Sequence, residues 1–478
     1  MHARTLAAAA ALALPVSFAA ACGEAAPRDN VVVAASAAPA GLDFTTTGGA
    51  AAPQALVGNV YETLVRIDAS GTPVPHLAEH VERGGGTFTF HLRDGVTFAD
   101  GTPFTADDAA FSIHYVQHEW TNGLKAQMDP VTHVEVVDER TLRVTVEGGT
   151  AAEDAWLWSM GTLTGAMMTP AGVDRLATAP LGTGPYTVAR FDVGEAIEFD
   201  AREDYWGGDV ARNAAIRYFD DPVSAVNALR VGDADVVWGM QAPQLIDTLP
   251  EDIRVEVGTT NGEVLLSMNN TRAPFDDPNV RRAVAYAVDR AAVNEVVYNG
   301  LATDTGGAPV PPTDPWYPGR DFYPFDPDKA RELLAGRSPE ITITVPNRPY
   351  AQEASELIYS QLRDVGFRVR LETVEFPAVW LNQVLKGHDY QASLVAHVEP
   401  RDVPMLFGDP EYYLGYDNAV VRERIAAGDM AGAVEQIMDD AAALTLANAP
   451  NIVLYAPGVS GLNPNVVTDS LPLNEVEK

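Results

Sequence analysis

The sequence predicts an α/β fold made of two lobes, and three stretches carry that expectation. Val264 to Arg290 reads as a core strand, a turn and an amphipathic helix. Ile341 to Thr373 reads as strand, helix and strand, the unit of an α/β lobe. Asn451 to Tyr455 (NIVLY) is a late apolar run through which the chain is expected to cross back.

Val264-Leu265-Leu266-Ser267-Met268 is a short apolar run bounded by Asn269-Asn270, whose amides favour turns over sheet ladders. Pro278 suits a first helical turn, where its missing N–H costs nothing. From there Val280, Ala283, Val284, Ala287 and Val288 fall at helical spacing and form one stripe. The wording of Leu266 to Arg290, N-x-x-x-x-P-F-D-D-x-x-V-R-R-A-x-x-Y-A-x-D-R, resembles the large solute-binding proteins of ABC importers, the peptide/nickel-type group. The resemblance implies a two-lobed, periplasmic-binding-protein-like fold of type II, with an extra subdomain inserted in lobe one. It places lobe I at 30–263 with the insertion at about 65–180, lobe II at 264–452, and a return to lobe I over 453–478.

Residues 1–21 read as an export signal. His2 and Arg4 precede the apolar Leu6 to Ala20, and the small residues Ala19-Ala20-Ala21 lead into Cys22. Cys22, the only cysteine, resembles a lipoprotein cleavage site, with Ala19 where that pattern usually has Leu. Residues 22–29 then form a small, polar tether. The expected location is the outer face of the cytoplasmic membrane or the periplasm, with membrane attachment only through lipid on Cys22. The formal charge is −34, from 66 Asp+Glu against 32 Lys+Arg. A field of that sign repels phosphate backbones and excludes nucleic acid as a partner. It also offers no polybasic route to anionic lipid.

Asn30 to Ala35 (NVVVAA) reads as a buried strand, and the loop after it holds Thr45, Thr46 and Thr47. Such loops often carry binding groups. Ala55 to Leu64 has helical spacing. Thr87 to Leu92 and Val134 to Val146 alternate apolar and polar residues, as hairpin strands do. Ser224 to Asp235 reads as a helix, with a strand at Ala234 to Trp238. Phe325 to Leu334 and Ala354 to Val365 read as helices of the second lobe.

The sharpest catalytic pattern is His76-Leu77-Ala78-Glu79-His80, which fits H-x-x-E-H. A zinc hydrolase needs a long helix to hold both histidines on one face. Pro75 precedes the segment and Gly84-Gly85-Gly86 follows it, leaving at most a short structural helix. An exported zinc-dependent hydrolase is therefore the second reading. Gly182-Thr183-Gly184 lacks the rest of a phosphate loop, and Gly458-Val459-Ser460-Gly461 has the wrong spacing for a nucleophile elbow. No catalytic set, resident metal or cofactor is expected.

The candidate site is the loop after the apolar strand Ala392 to Ala396, which carries His397, Val398, Glu399, Arg401 and Asp402. Ligands of α/β sheets usually sit at strand ends. In peptide-binding members of the resembled family this loop carries an aromatic residue and an aspartate that grips the peptide amine. Aligned on Pro404, those positions fall at His397 and Pro400, so the sequence departs from the pattern at both. Glu399 or Asp402 could supply the carboxylate, and Arg401 could meet an acidic group. Trp238, Trp316-Tyr317, Trp380 and Tyr412-Tyr413 are aromatics that could line a cleft. The function implied by the resemblance is capture of a small solute, peptide or peptide-like, by a monomer that hands it to an ABC permease and its ATPase.

Overall fold

A computed structural model describes residues 30–47 and 49–478. The export signal, Cys22 and the tether lie outside the described residues.

Lobe I opens with β1 (Val31–Ala35). A small ribbon, β2 (Val65–Ile67) and β3 (Pro73–Pro75), leads into four strands that form their own sheet. These are β4 (Ala78–Gly84), β5 (Thr87–Leu92), β6 (Val131–Asp138) and β7 (Thr141–Val146), in the order β4-β5-β7-β6. The strictly alternating burial of β5 and β7 comes from their period-2 sequences, which face the core with Phe88, Phe90, Leu142 and Val144. The helices Ala106–Glu119 and Thr150–Ser159 complete this inserted subdomain. Thr105 and Asp108 cap the first of them reciprocally.

The chain then returns to the main sheet with β8 (Tyr186–Asp192), β9 (Ala196–Ala201), β10 (Ala214–Tyr218) and β11 (Val236–Val237). The long β12 (Arg254–Met268) leaves lobe I. Lobe II contributes β13 (Glu340–Pro346), β14 (Arg368–Val374) and β15 (Ala392–His397), and β16 (Ala443–Tyr455) comes back. The main sheet runs β14-β13-β15-β12-β16-β11-β1-β10-β9-β8. β12 and β16 pair antiparallel along most of their length, and their register slips between Thr259 and Glu263. On either side of that slip lie separate apolar cores. One gathers lobe I and its insertion, and the other gathers residues from Val264 to Leu446. β12 and β16 are thus the two strands that join the cores.

The segment that carries the family wording is framework. Asp277 caps the helix Pro278–Ala287 by accepting from Asn279 N–H. The buried Arg281 guanidinium donates to the carbonyls of Phe275, Asp440 and Ala441. Arg290 is buried against Asp304 and Asp321 and donates to the Tyr323 carbonyl.

Some sequence expectations need correction. Residues 76–80 are not helical: His76 follows β3, and His80 lies on β4, paired across to His91 of β5. Pairing with β5 wins over the short helical periodicity. The helical spacing from Ala55 to Leu64 yields a helix only at Ala51–Leu56, followed by turns.

Candidate functional site

The two lobes meet around Arg401. This residue takes the left-handed conformation, with φ at 59°, which a side chain rarely adopts without support from its surroundings. The backbone turns its guanidinium across to lobe I, where Nη2 donates to the Gly71 carbonyl at 2.6 Å. The Asp314 carboxylate stands 3.5 Å from Nε. Trp158 of lobe I and Trp316 of lobe II lie over the guanidinium at 5.1 and 5.0 Å, within the range of cation–π attraction. Gly71 is needed for this approach, since its φ is +75° and a Cβ there would sit 3.0 Å from the Thr313 carbonyl.

Beside this contact is a cavity of about 750 Å³, lined from lobe I by Thr72, Gln127 and Trp158 and from lobe II by Trp316, Arg401 and Met430. The size suits a small organic solute. The Trp158 indole N–H is buried without a hydrogen-bond partner, so it is a donor held ready for an acceptor.

Behind the cavity wall the same loop builds a second arrangement. β15 pairs with β12 so that His397 stands opposite Glu263. His397 Nε2 is 2.8 Å from the Tyr413 hydroxyl, which lies 2.7 Å from Ser267 Oγ. His397 Nδ1 faces Asp402 Oδ2 at 3.6 Å. His397, Glu399 and Asp402 each bring a ligand atom within 4.8 Å of the others. Asp402 and Glu263 are 7% and 4% exposed, and each has a carboxylate oxygen without a hydrogen-bond partner.

Burial raises the Asp402 carboxyl to about 8, helped by the charge of Glu399. Burial likewise raises Glu263 well above the carboxylate range, with Asp402 and Asp314 adding to it. The buried His397 imidazole is pulled down to about 4 because burial disfavours its cation. This region therefore resists taking on negative charge without a compensating cation.

The structure brings together His397, Glu399 and Asp402, while Arg401 of the same loop points the other way, into the interlobe contact. Val398 is exposed beside them. Thr45, Thr46 and Thr47 turn their hydroxyls back onto Asp43, and the Phe44 and Thr47 carbonyls accept from Asn122. Trp238 lines a separate lobe I cavity of about 380 Å³. Trp380 and Tyr413 are core residues. Sequence reasoning missed Glu263, Asp314 and Trp158. Glu263 directly precedes the apolar run of the crossing strand, and that position was its one available signal.

The zinc-hydrolase reading fails on geometry. His76 Nε2 is 3.1 Å from Glu62, which sits buried inside lobe I. The exposed His80 stacks on His91 instead. The two histidines do not share a helix face.

Comparison with known proteins agrees with this architecture. Residues 72–411 match the model of bacterial extracellular solute-binding proteins, family 5 Middle. Heme-binding protein A of Haemophilus influenzae is 29% identical over 364 residues, which span 66% of this chain and 65% of that protein. Di/tripeptide-binding protein 1 of Pseudomonas aeruginosa is 26% identical over 455 residues, 86% of this chain and 80% of that protein. The crystal structure of the ABC transporter substrate-binding protein CtaP from Listeria monocytogenes superposes with a TM-score of 0.80 at 19% identity. That superposition covers 94% of this chain and 99% of the other.

Proposed function

Because the chain belongs to family 5 of the bacterial extracellular solute-binding proteins, we propose that it captures a small solute between its lobes and delivers it to an ABC permease and its ATPase. The observation that carries this reading is the interlobe cavity, whose wall is shared between Trp158 of lobe I and Trp316 and Arg401 of lobe II. A wall divided in this way is complete only when the lobes close, so closure and binding are one event. The solute is peptide or peptide-like. Arg401 and the Trp158 indole N–H supply donors for its carboxylate and carbonyl groups, and the apolar wall takes its side chains. The names of relatives that bind di- and tripeptides or glutathione support the same class. Among the described residues no helix is long and apolar enough to cross a membrane. Attachment through lipid on Cys22 belongs to the same proposal, as does action as an exported monomer.

Native mass spectrometry of protein purified from its own host, followed by denaturation, tests the reading. A released small molecule that returns to the refolded protein and raises its melting temperature is the expected result. Chemical conversion of that molecule by the protein would contradict a binding role. For the anchor, Cys22→Ser should move the protein from the membrane to the soluble fraction with its binding unchanged.

A further inference from the structure

The group behind the cavity wall gathers four carboxyl side chains around one guanidinium. Glu263, Asp314, Glu399 and Asp402 converge there, and the guanidinium beside them, that of Arg401, is held by Asp314 and the Gly71 carbonyl. The His397 ring is fixed from behind. His397 Nε2 lies 2.8 Å from the Tyr413 hydroxyl, which lies 2.7 Å from Ser267 Oγ; in the tautomer whose Nε2–H donates to Tyr413, Nδ1 presents its lone pair to Asp402. A lone pair and a buried carboxylate oxygen with no hydrogen-bond partner face each other at 3.6 Å. Two acceptor atoms so placed are met by a positive species between them, a proton or a metal ion. Two metal bonds of about 2.1 Å at a tetrahedral angle separate their donor atoms by about 3.4 Å.

We infer that His397 Nδ1, Glu399 and Asp402 hold a divalent first-row transition-metal ion, with the remaining coordination positions open on the side of Glu399. One imidazole nitrogen with two carboxylates suits zinc, cobalt or nickel better than calcium or magnesium, which favour oxygen alone. Tyr413 and Ser267 serve as the outer shell that fixes the imidazole. Glu399 gives the ion its route in. It is exposed, and its one hydrogen bond, from the Val398 N–H, is long at 3.3 Å. Spacing alone carries no such signal, because H-x-E-x-x-D is no recognised metal spacing and the fold turns the three side chains together.

The inference goes beyond the transport reading and does not rest on it. Protein stripped with a chelator is titrated with zinc by calorimetry at pH 7, and with cobalt by visible absorption. One ion per chain is expected, with affinity reduced about tenfold or more in Glu399→Gln and in Asp402→Asn, and with the cobalt band altered in both. Zinc uptake and cobalt spectra unchanged in both variants would overturn it and place the ion elsewhere, for example on the stacked His80 and His91. Absence of uptake by the wild type would overturn it too, leaving a proton shared by Asp402 and His397. Because Glu399 is exposed, its variant decides the matter even if Asp402→Asn fails to fold. A chain that releases a solute in native mass spectrometry yet takes up no zinc would lose the metal site and keep the transport reading.

Discussion

Glu62 inside lobe I and the pair Glu263 and Asp402 at the junction of the lobes are similarly buried carboxylates with opposite surroundings. Glu62 Oε1 accepts from the Tyr205 hydroxyl at 2.7 Å and lies 3.1 Å from His76 Nε2. Its Oε2 accepts from the Thr183 hydroxyl and the Trp206 indole N–H, both at 2.8 Å. The group ties the start of the inserted subdomain to the main sheet of lobe I. Glu263 and Asp402 each keep an oxygen that nothing in the fold satisfies. A buried carboxylate with every lone pair engaged serves the fold, whereas one left unmet, as at Glu263 within β12 and at Asp402 in the loop after β15, is kept for something that binds. Burial by itself does not separate the two cases, and hydrogen-bond accounting does.

The largest expected effect comes from spoiling the satisfied side. Glu62→Gln turns an amide donor toward two of the four existing donors, and hydrogen bonds to a charged group contribute about 1.5–3 kcal/mol each. Urea unfolding should show a loss of about 3–5 kcal/mol. A loss below about 1 kcal/mol would remove Glu62 from its structural role.

Arg401→Met comes next. It leaves Asp314 buried without its cation and releases the Gly71 carbonyl, so the interlobe contact should weaken. Removing one partner of a buried pair typically costs about 3–5 kcal/mol. This pair is long and Arg401 is partly hydrated, so about 2 kcal/mol is expected in urea. Small-angle scattering should show a larger radius of gyration for the variant. Both quantities unchanged in the variant would remove Arg401 from the interlobe contact.

A smaller effect is expected from pH. In metal-free protein Asp402 holds its proton up to about pH 8 when folded, whereas an unfolded aspartate loses it near pH 4. Folding therefore takes up a proton between those values, and stability falls as pH rises toward 8. Glu263 acts with the same sign. His397 opposes them between about pH 4 and 6.5, because its folded form gives up the proton that the unfolded chain keeps. Between about pH 6.5 and 8 only the carboxylates act, and wild-type stability should drop by about 1–2 kcal/mol. Asp402→Asn should flatten most of that slope. The smallest effect belongs to Glu399→Gln, whose exposed side chain should shift stability by less than about 0.5 kcal/mol.

Much of the framework was legible because it is local. Alternation marked β5 and β7, and an apolar run marked the lobe II half of β12. Pro278 with the stripe from Val280 marked the helix whose cap is Asp277. The candidate loop 397–402 was legible as a strand end, although its side chains split between two faces that no spacing reveals. Glu263 was silent because its partner His397 is set by the β12–β15 register. Trp158 was silent because it meets Arg401 across the two lobes, and Asp314 because it meets Arg401 from a loop distant in sequence within lobe II. The HLAEH segment misled in the other direction, since a five-residue pattern cannot report that β5 will pair with it.

The most direct test of the contrast is the shift in urea midpoint that saturating zinc produces in wild type, Glu62→Gln and Asp402→Asn. A ligand present at a hundred times its dissociation constant adds about 2.7 kcal/mol. Glu62→Gln should start well below wild type and rise by the same increment. Asp402→Asn should start near wild type and rise little. An undiminished rise in Asp402→Asn, or a lost one in Glu62→Gln, would contradict the division between a carboxylate kept for the fold and carboxylates kept for binding.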